Sequence, residues 1–291
     1  MHQFRYVAPG SIEELLGLLA DQRGKVKLLA GGTDLIVQMR TGVVTPELVI
    51  DVKQVPELNS LLLSDKGLKI GAAVSCRTVC GNSRVASTYP ALIDSASLIG
   101  GIQIQGRASI GGNLCNASPS ADSIPALIAL GAVAVIRSAS GERTLRVEEF
   151  CTGPGTNILA SNEVLVSLKL PAVPENSGTY FLRFTPRNEM DIAVANTAAS
   201  VVLSADGKQF TSARIAIGAV VPTPILVQGA ADAIQGKRVS RASVNAAAEL
   251  ARHAASPIND MRGSIAQRKH LVQVLVTRAL TCAIERAGGT I

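Results

Sequence analysis

Two short runs in the 291-residue chain carry residue types that can grip an anion. The first is Leu29-Ala30-Gly31-Gly32-Thr33-Asp34-Leu35, and the second is Ser109-Ile110-Gly111-Gly112-Asn113. Paired glycines leave backbone N–H groups open to approach, because no Cβ blocks an incoming oxygen and φ can turn positive. The hydroxyls of Thr33 and Ser109 and the amide of Asn113 add side-chain donors that phosphate oxygens accept. One pyrophosphate has two phosphates to satisfy, and two such loops suit it. Either glycine pair taken singly is more readily a tight turn. Neither run is a Walker A loop, since no Gly-Lys-Ser/Thr follows, and neither is a G-x-G-x-x-G dinucleotide fingerprint. Residue chemistry alone therefore stops at a candidate site for a pyrophosphate-bearing cofactor.

Other chemistries find little support. The five cysteines, Cys76, Cys80, Cys115, Cys151 and Cys282, are odd in number and widely spread. Without a secretory context they read as reduced thiols. No second cysteine pair completes a metal site beside Cys76 and Cys80, and His2, His253 and His270 lack ligand spacing. No residue is assigned a catalytic role and none a metal. The net charge of +6 is modest, and aromatics make up only 3% of the chain. Arg262, Arg268 and Lys269 form the densest basic patch, which reads as a solvated face and not as a nucleic-acid surface.

The elements that must position the two loops follow from periodicity and turn signals. Ser11 with Glu14 is a capping box opening a short helix that ends near Gly24. Val26 to Leu29 is a buried strand running into the first loop, a short helix follows over 35–40, and residues 48–52 are a second strand. A hairpin turning at Asp65-Lys66-Gly67 leads to a helical stretch over about 77–99. The second loop closes a glycine-rich segment, 100–113. Residues 122–130 are helical, and strands are expected at 132–136, 144–147 and 164–170. The segment Pro171-Ala172-Val173-Pro174-Glu175-Asn176-Ser177-Gly178 is the best linker in the chain. Beyond it come strands over 179–184, 192–203 and 213–220, with Asp206-Gly207 as a hairpin turn. Two helices over about 241–254 and 266–287 close the chain, the second stopped by Gly288-Gly289.

Apolar residues make up 47% of the chain and charged residues 17%, so it is globular. Mean hydropathy is positive, yet the longest apolar run, Ile124 to Ile136, is broken by Pro125 and Gly131 and falls short of the roughly 20 residues of a spanning helix. With no secretory signal at the N-terminus, the expected location is cytoplasmic. Few charges and no tryptophan also suit a chain that covers part of its surface with partners.

The two glycine runs, about eighty residues apart, resemble those of the FAD-binding medium subunits of the xanthine dehydrogenase and carbon monoxide dehydrogenase family of molybdenum hydroxylases. Further stretches agree in order along the chain. They are Ala117-Ser118-Pro119-Ser120-Ala121-Asp122, Gly153-Pro154-Gly155, and Tyr180-Phe181-Leu182-Arg183-Phe184-Thr185-Pro186-Arg187 with Met190-Asp191-Ile192-Ala193. The resemblance implies an α+β protein. A two-part FAD-binding domain of the PCMH/vanillyl-alcohol-oxidase-like kind would span 1–174, with subdomains about 1–55 and 56–174. A C-terminal α+β domain, a three-stranded antiparallel sheet with helices, would span 178–288.

The same resemblance implies site residues. Leu29, Ala30, Gly31, Gly32, Thr33, Asp34 and Leu35, with Ser109, Ile110, Gly111, Gly112 and Asn113, would hold the FAD pyrophosphate. Asp122 would contact the ribose or adenine side; an N-cap on the helix that follows is an equal and compatible reading. Ile99, at a position aromatic in some relatives, and Leu165 would lie near the flavin, and Arg183 would place a cation beside the isoalloxazine. Electrons would pass from 2Fe-2S clusters through FAD to a final acceptor. The partners implied are a small iron–sulfur subunit and a large molybdopterin subunit, as a dimer of heterotrimers. The alternatives are a stand-alone FAD-dependent oxidase or reductase and a binding module that has lost its flavin.

Overall fold

The computed structural model describes residues 2–20 and 25–291. Its first unit contains β1 (Arg5–Val7), α1 (Ile12–Ala20), β2 (Val26–Leu29), α2 (Leu35–Arg40) and β3 (Leu48–Asp51). The three strands form a parallel sheet in the order β1-β3-β2. The Oγ of Ser11 accepts from the Glu14 N–H at 3.2 Å, and the Glu14 carboxylate accepts from the Gly10 N–H at 2.8 Å. This is a reciprocal cap shifted by one residue at its return bond. Ile12, Leu15, Leu16 and Leu19 make the buried stripe of α1 and share a core with Leu48 and Ile50. The expected end of this helix near Gly24 lies outside the described residues.

A second unit opens with the hairpin β4 (Leu61–Ser64) and β5 (Gly67–Gly71). Three short helices follow, α3 (Cys76–Cys80), α4 (Ser83–Thr88) and α5 (Pro90–Ala96), where the apolar pattern predicts one. Gly81 ends the first, and the Asn82 side chain caps the second by accepting from the Val85 N–H at 3.1 Å. Pro90 starts the third because it has no N–H to continue the second. The glycine-rich stretch contains α6 (Ile102–Gln105), absent from the sequence reading, and then come α7 (Ile110–Asn116) and α8 (Ser123–Ala129).

The remaining strands of this unit are β6 (Val133–Ser138), β7 (Gly141–Arg146), the small hairpin β8 (Cys151–Gly153) with β9 (Thr156–Asn157), and β10 (Val164–Pro171). The sheet order β4-β5-β10-β6-β7 is antiparallel throughout and places the last strand in the middle, between two hairpins. Its central position explains why β10 is buried along nearly its whole length.

The third unit holds β11 (Ser177–Phe184), β12 (Ala195–Leu203), β13 (Phe210–Gly218) and β14 (Ile225–Leu226), then α9 (Gln228–Ile234), α10 (Arg241–Ala254) and α11 (Ile265–Arg286). The antiparallel sheet thus has four strands where three were expected, and three helices follow it in place of two. The extra strand is two residues long and sits just after Pro222 and Pro224, too short to show a period of two. β10 and β11 lie in different sheets, so the sheet changes within the 171–178 segment.

Period-two alternation gives β12 two buried faces. Ala195, Ala199, Val201 and Leu203 pack with the closing helices, while Ala198, with Phe181 and Ala216 from its neighbours, joins the core built on α5 and α8. The third sheet is therefore a middle layer. Among the described residues no helix is long and apolar enough to cross a membrane.

Candidate functional site

The two glycine runs meet although about eighty residues separate them. A Cβ built on Gly31 would lie 2.5 Å from the Arg107 carbonyl oxygen and 3.0 Å from Ala108 Cα, so the loops touch backbone to backbone. A Cβ on Gly111 would lie 2.5 Å from the Ala72 carbonyl oxygen. These two glycines are required by packing. Gly32 is different: its φ of +77° is a conformation side chains resist. A Cβ on Gly112 would meet only the Ser109 hydroxyl, at 2.8 Å.

Where the loops meet, they wall a cavity of about 350 Å³. Ala30, Gly31, Gly32, Thr33, Asp34 and Leu35 line it from the first run, and Ser109, Gly111, Gly112 and Asn113 from the second. Ile99 and Leu165 also reach it. Leu29 and Ile110 do not: the half-buried Leu29 side chain lies against Gly32, and Ile110 is fully buried in the core. The other ten residues of the two runs line the cavity directly.

The donor inventory suits an anion. Among the described residues, the backbone amides of Gly31, Gly32 and Thr33 donate to no protein acceptor. Ser109 caps α7 by accepting from the Gly112 N–H at 3.1 Å, which leaves its own O–H free to donate. The Oδ1 of Asn113 accepts from the buried Ser123 hydroxyl at 2.6 Å, which leaves its NH₂ to donate elsewhere. Asp34 is the adverse group. Its carboxyl is held above the usual range by burial, and its side chain makes no capping bond.

Asp122 and Arg183 are absent from the cavity wall and are paired with each other at 2.5 Å, their side chains 9% and 7% exposed. Asp122 makes no side-chain N-cap bond, so the capping alternative is not realised. Burial pushes its carboxyl up to about 6, against the opposing pull of Arg183 and of a hydrogen bond from Asn196. The pair ties the loop before α8 to β11.

Several wall residues escaped the sequence reading. The Gln38 side chain donates to Asn116 Oδ1 at 3.4 Å, linking α2 to α7. Asn157 donates to the Cys115 carbonyl at 2.7 Å, and Glu163 holds Arg143 through two 2.7 Å bonds. Asn116 was legible: it follows Asn113 by three, the spacing of one helix face. Asn157 and Glu163 come from distant segments with no local signature. Cys115 also lines the wall, but burial pushes its thiol up to about 12, which leaves it a poor nucleophile. Among the described residues no three His, Cys, Asp or Glu side chains converge as a metal site.

Comparison with known proteins adds independent findings. Residues 2–173 match the family described as the FAD binding domain in molybdopterin dehydrogenase, and residues 180–283 match the CO dehydrogenase flavoprotein C-terminal domain. The chain is 32% identical over 286 residues to the xanthine dehydrogenase FAD-binding subunit of Escherichia coli O157:H7, covering 98% of this chain and 97% of that one. It is 31% identical to the carbon monoxide dehydrogenase medium chain of Hydrogenophaga pseudoflava over 98% of both. A solved carbon monoxide dehydrogenase from that organism superposes with a TM-score of 0.93 at 31% identity, over 98% of each chain. Quinoline 2-oxidoreductase from Pseudomonas putida 86 superposes with 0.91 at 28% identity, again over 98% of each.

Proposed function

The chain belongs to the FAD-binding, or medium, subunits of the xanthine dehydrogenase and carbon monoxide dehydrogenase family of molybdenum-containing oxidoreductases, and from that premise we propose that it relays electrons inside a heteromeric complex and leaves the organic substrate to a partner. The observation that carries the reading is the set of unpartnered amides at Gly31, Gly32 and Thr33, on one cavity with Ser109, Gly112 and Asn113. Backbone donors so arranged suit a pyrophosphate, and the chain offers them no other acceptor among its described residues.

Bound FAD supplies a carrier that takes electrons from iron–sulfur clusters and releases them to a final acceptor. The chain's own residues do the rest. The loop amides and the Ser109 and Asn113 side chains hold the pyrophosphate; Ile99 and Leu165 give the apolar wall for the ring system. Gln105 steadies Ile99 by donating to the Ser97 carbonyl at 2.6 Å and the Ile99 carbonyl at 3.4 Å. Asp122 and Arg183 act jointly. Their pair fixes the loop after the second glycine run against the third sheet, and the guanidinium donors that Asp122 leaves free are what Arg183 would offer a flavin. The cofactor-holding domain would span 1–174, divided near residue 55, and the C-terminal domain 178–288, a reading supported by the change of sheet between β10 and β11.

The partners proposed are a small iron–sulfur subunit with 2Fe-2S clusters and a large molybdopterin subunit, assembled as a dimer of heterotrimers. The five unpaired cysteines suit a reducing compartment such as the cytoplasm. The test is purification and loading: the chain should take up one FAD without covalent attachment, and Gly112→Val should take it up at least tenfold less well. A Gly112→Val chain that keeps stoichiometric flavin would defeat the assignment.

A further inference from the structure

Arg107 stands outside the cavity wall, yet it is bonded to the first glycine run. Its Nε donates to the Gly31 carbonyl and its Nη2 to the Ala30 carbonyl, each at 3.3 Å. One guanidinium thus spans two consecutive peptide units with its fixed fork of donors. A trans peptide is planar, with its N–H antiparallel to its C=O. When the carbonyls of Ala30 and Gly31 point at Arg107, the N–H groups of Gly31 and Gly32 must point away from it. Those are two of the amides with no protein acceptor, and both residues line the cavity.

From this geometry we infer that Arg107 is a positioning residue: it grips the carbonyl side of the first glycine run so that the amide side is presented to the pyrophosphate. The inference rests on the FAD reading above and deepens it. A flexible loop would otherwise pay for amide alignment when ligand arrives, and the fork makes that alignment part of the empty site. Arg107 is exposed, so its guanidinium adds little to the core. It also lies two residues before the second run, so the same side chain couples the two loops.

Charge and geometry can be separated. Arg107→Ala removes both, while Arg107→Lys keeps the charge and loses the fork. The full-length chain, stripped of flavin, is titrated with FAD and separately with ADP, at low and high salt. Both variants should bind FAD and ADP about 10- to 100-fold more weakly than wild type, the range expected for charge-assisted hydrogen bonds, with little change in the melting temperature. At saturating FAD, the ³¹P resonances of the bound pyrophosphate should move toward those of free FAD while the visible flavin spectrum stays as in wild type. Wild-type affinity in Arg107→Lys would overturn the inference, since charge alone would then suffice. A visible spectrum and melting temperature that shift in step with the phosphorus signal would overturn it too, as a general loss of structure. A wild-type chain that takes up no FAD defeats the cofactor reading itself, and the inference with it.

Discussion

The four glycines of the two loops are not equivalent. Gly31 and Gly111 give room for neighbouring backbone, Gly32 supplies a positive φ, and Gly112 alone has only a hydroxyl in front of it. Substitution at Gly112 is therefore the cleanest probe of the site. Gly112→Val should reduce FAD uptake at least tenfold with a loss of stability of about 1 kcal/mol, because its Cβ crowds the Ser109 hydroxyl that caps α7. Gly106→Ala, with nothing within 4 Å of its Cβ, is the matched control and should bind as wild type in an absorbance titration.

Asp122 gives a second prediction at the residue scale. Its folded-state value near 6 lies above the unfolded carboxylate value, so the folded chain binds the extra proton between about pH 4 and 6. Stability from this group is present below the unfolded value and declines as pH rises through about 6, by ~3 kcal/mol at most. Asp122→Asn lacks that term. Its stability relative to wild type in urea titrations should improve between pH 4.5 and pH 8, and a difference constant across that range would refute the assignment.

Among the elements, the third sheet decides how the molecule holds together. Its strands are covered by α9 and α11 on one side, with α10 packed on those helices, and by α5 and α8 on the other. Gly178 on β11 abuts the backbone of α11, where a Cβ would run into the Ala283 carbonyl oxygen and lie 2.6 Å from the Ala287 nitrogen. Neither atom can yield without moving the helix. Gly178→Ala should therefore cost about 1–3 kcal/mol through overpacking, measurable as a lower midpoint in thermal or urea unfolding. FAD affinity at low temperature should change little, since Gly178 does not line the cavity.

For the whole molecule, the expectation is catalytic incompleteness. The cavity offers hydrogen-bond donors and apolar walls, and its one cysteine is a thiol raised to about 12. The FAD-loaded chain alone should not be bleached rapidly by purines, aldehydes or N-heterocycles under anaerobic stopped-flow mixing. The same chain assembled with the proposed iron–sulfur and molybdopterin partners should be bleached by the complex's substrate. Rapid bleaching of the isolated chain would favour a stand-alone flavoenzyme. Native mass measurement of the complex tests the dimer of heterotrimers.

The sequence by itself determined the two glycine runs and their family, because glycine pairs and small polar residues are local features with a local physical reason. It also determined α1, α10 and α11, whose caps and 3.6-residue stripes are written within a few turns. It misread 77–99 as one helix, since apolar periodicity runs on through Gly81 and Pro90 while the backbone stops there. Only the tertiary structure decided what each loop residue faces. That Ile110 turns into the core, that Arg107 reaches back to Ala30 and Gly31, and that Asp122 spends its carboxylate on Arg183 are outcomes of segments brought together from afar. A residue's type fixes which bonds it can make; which partner it meets depends on loop closure over tens of residues, and no local pattern encodes that.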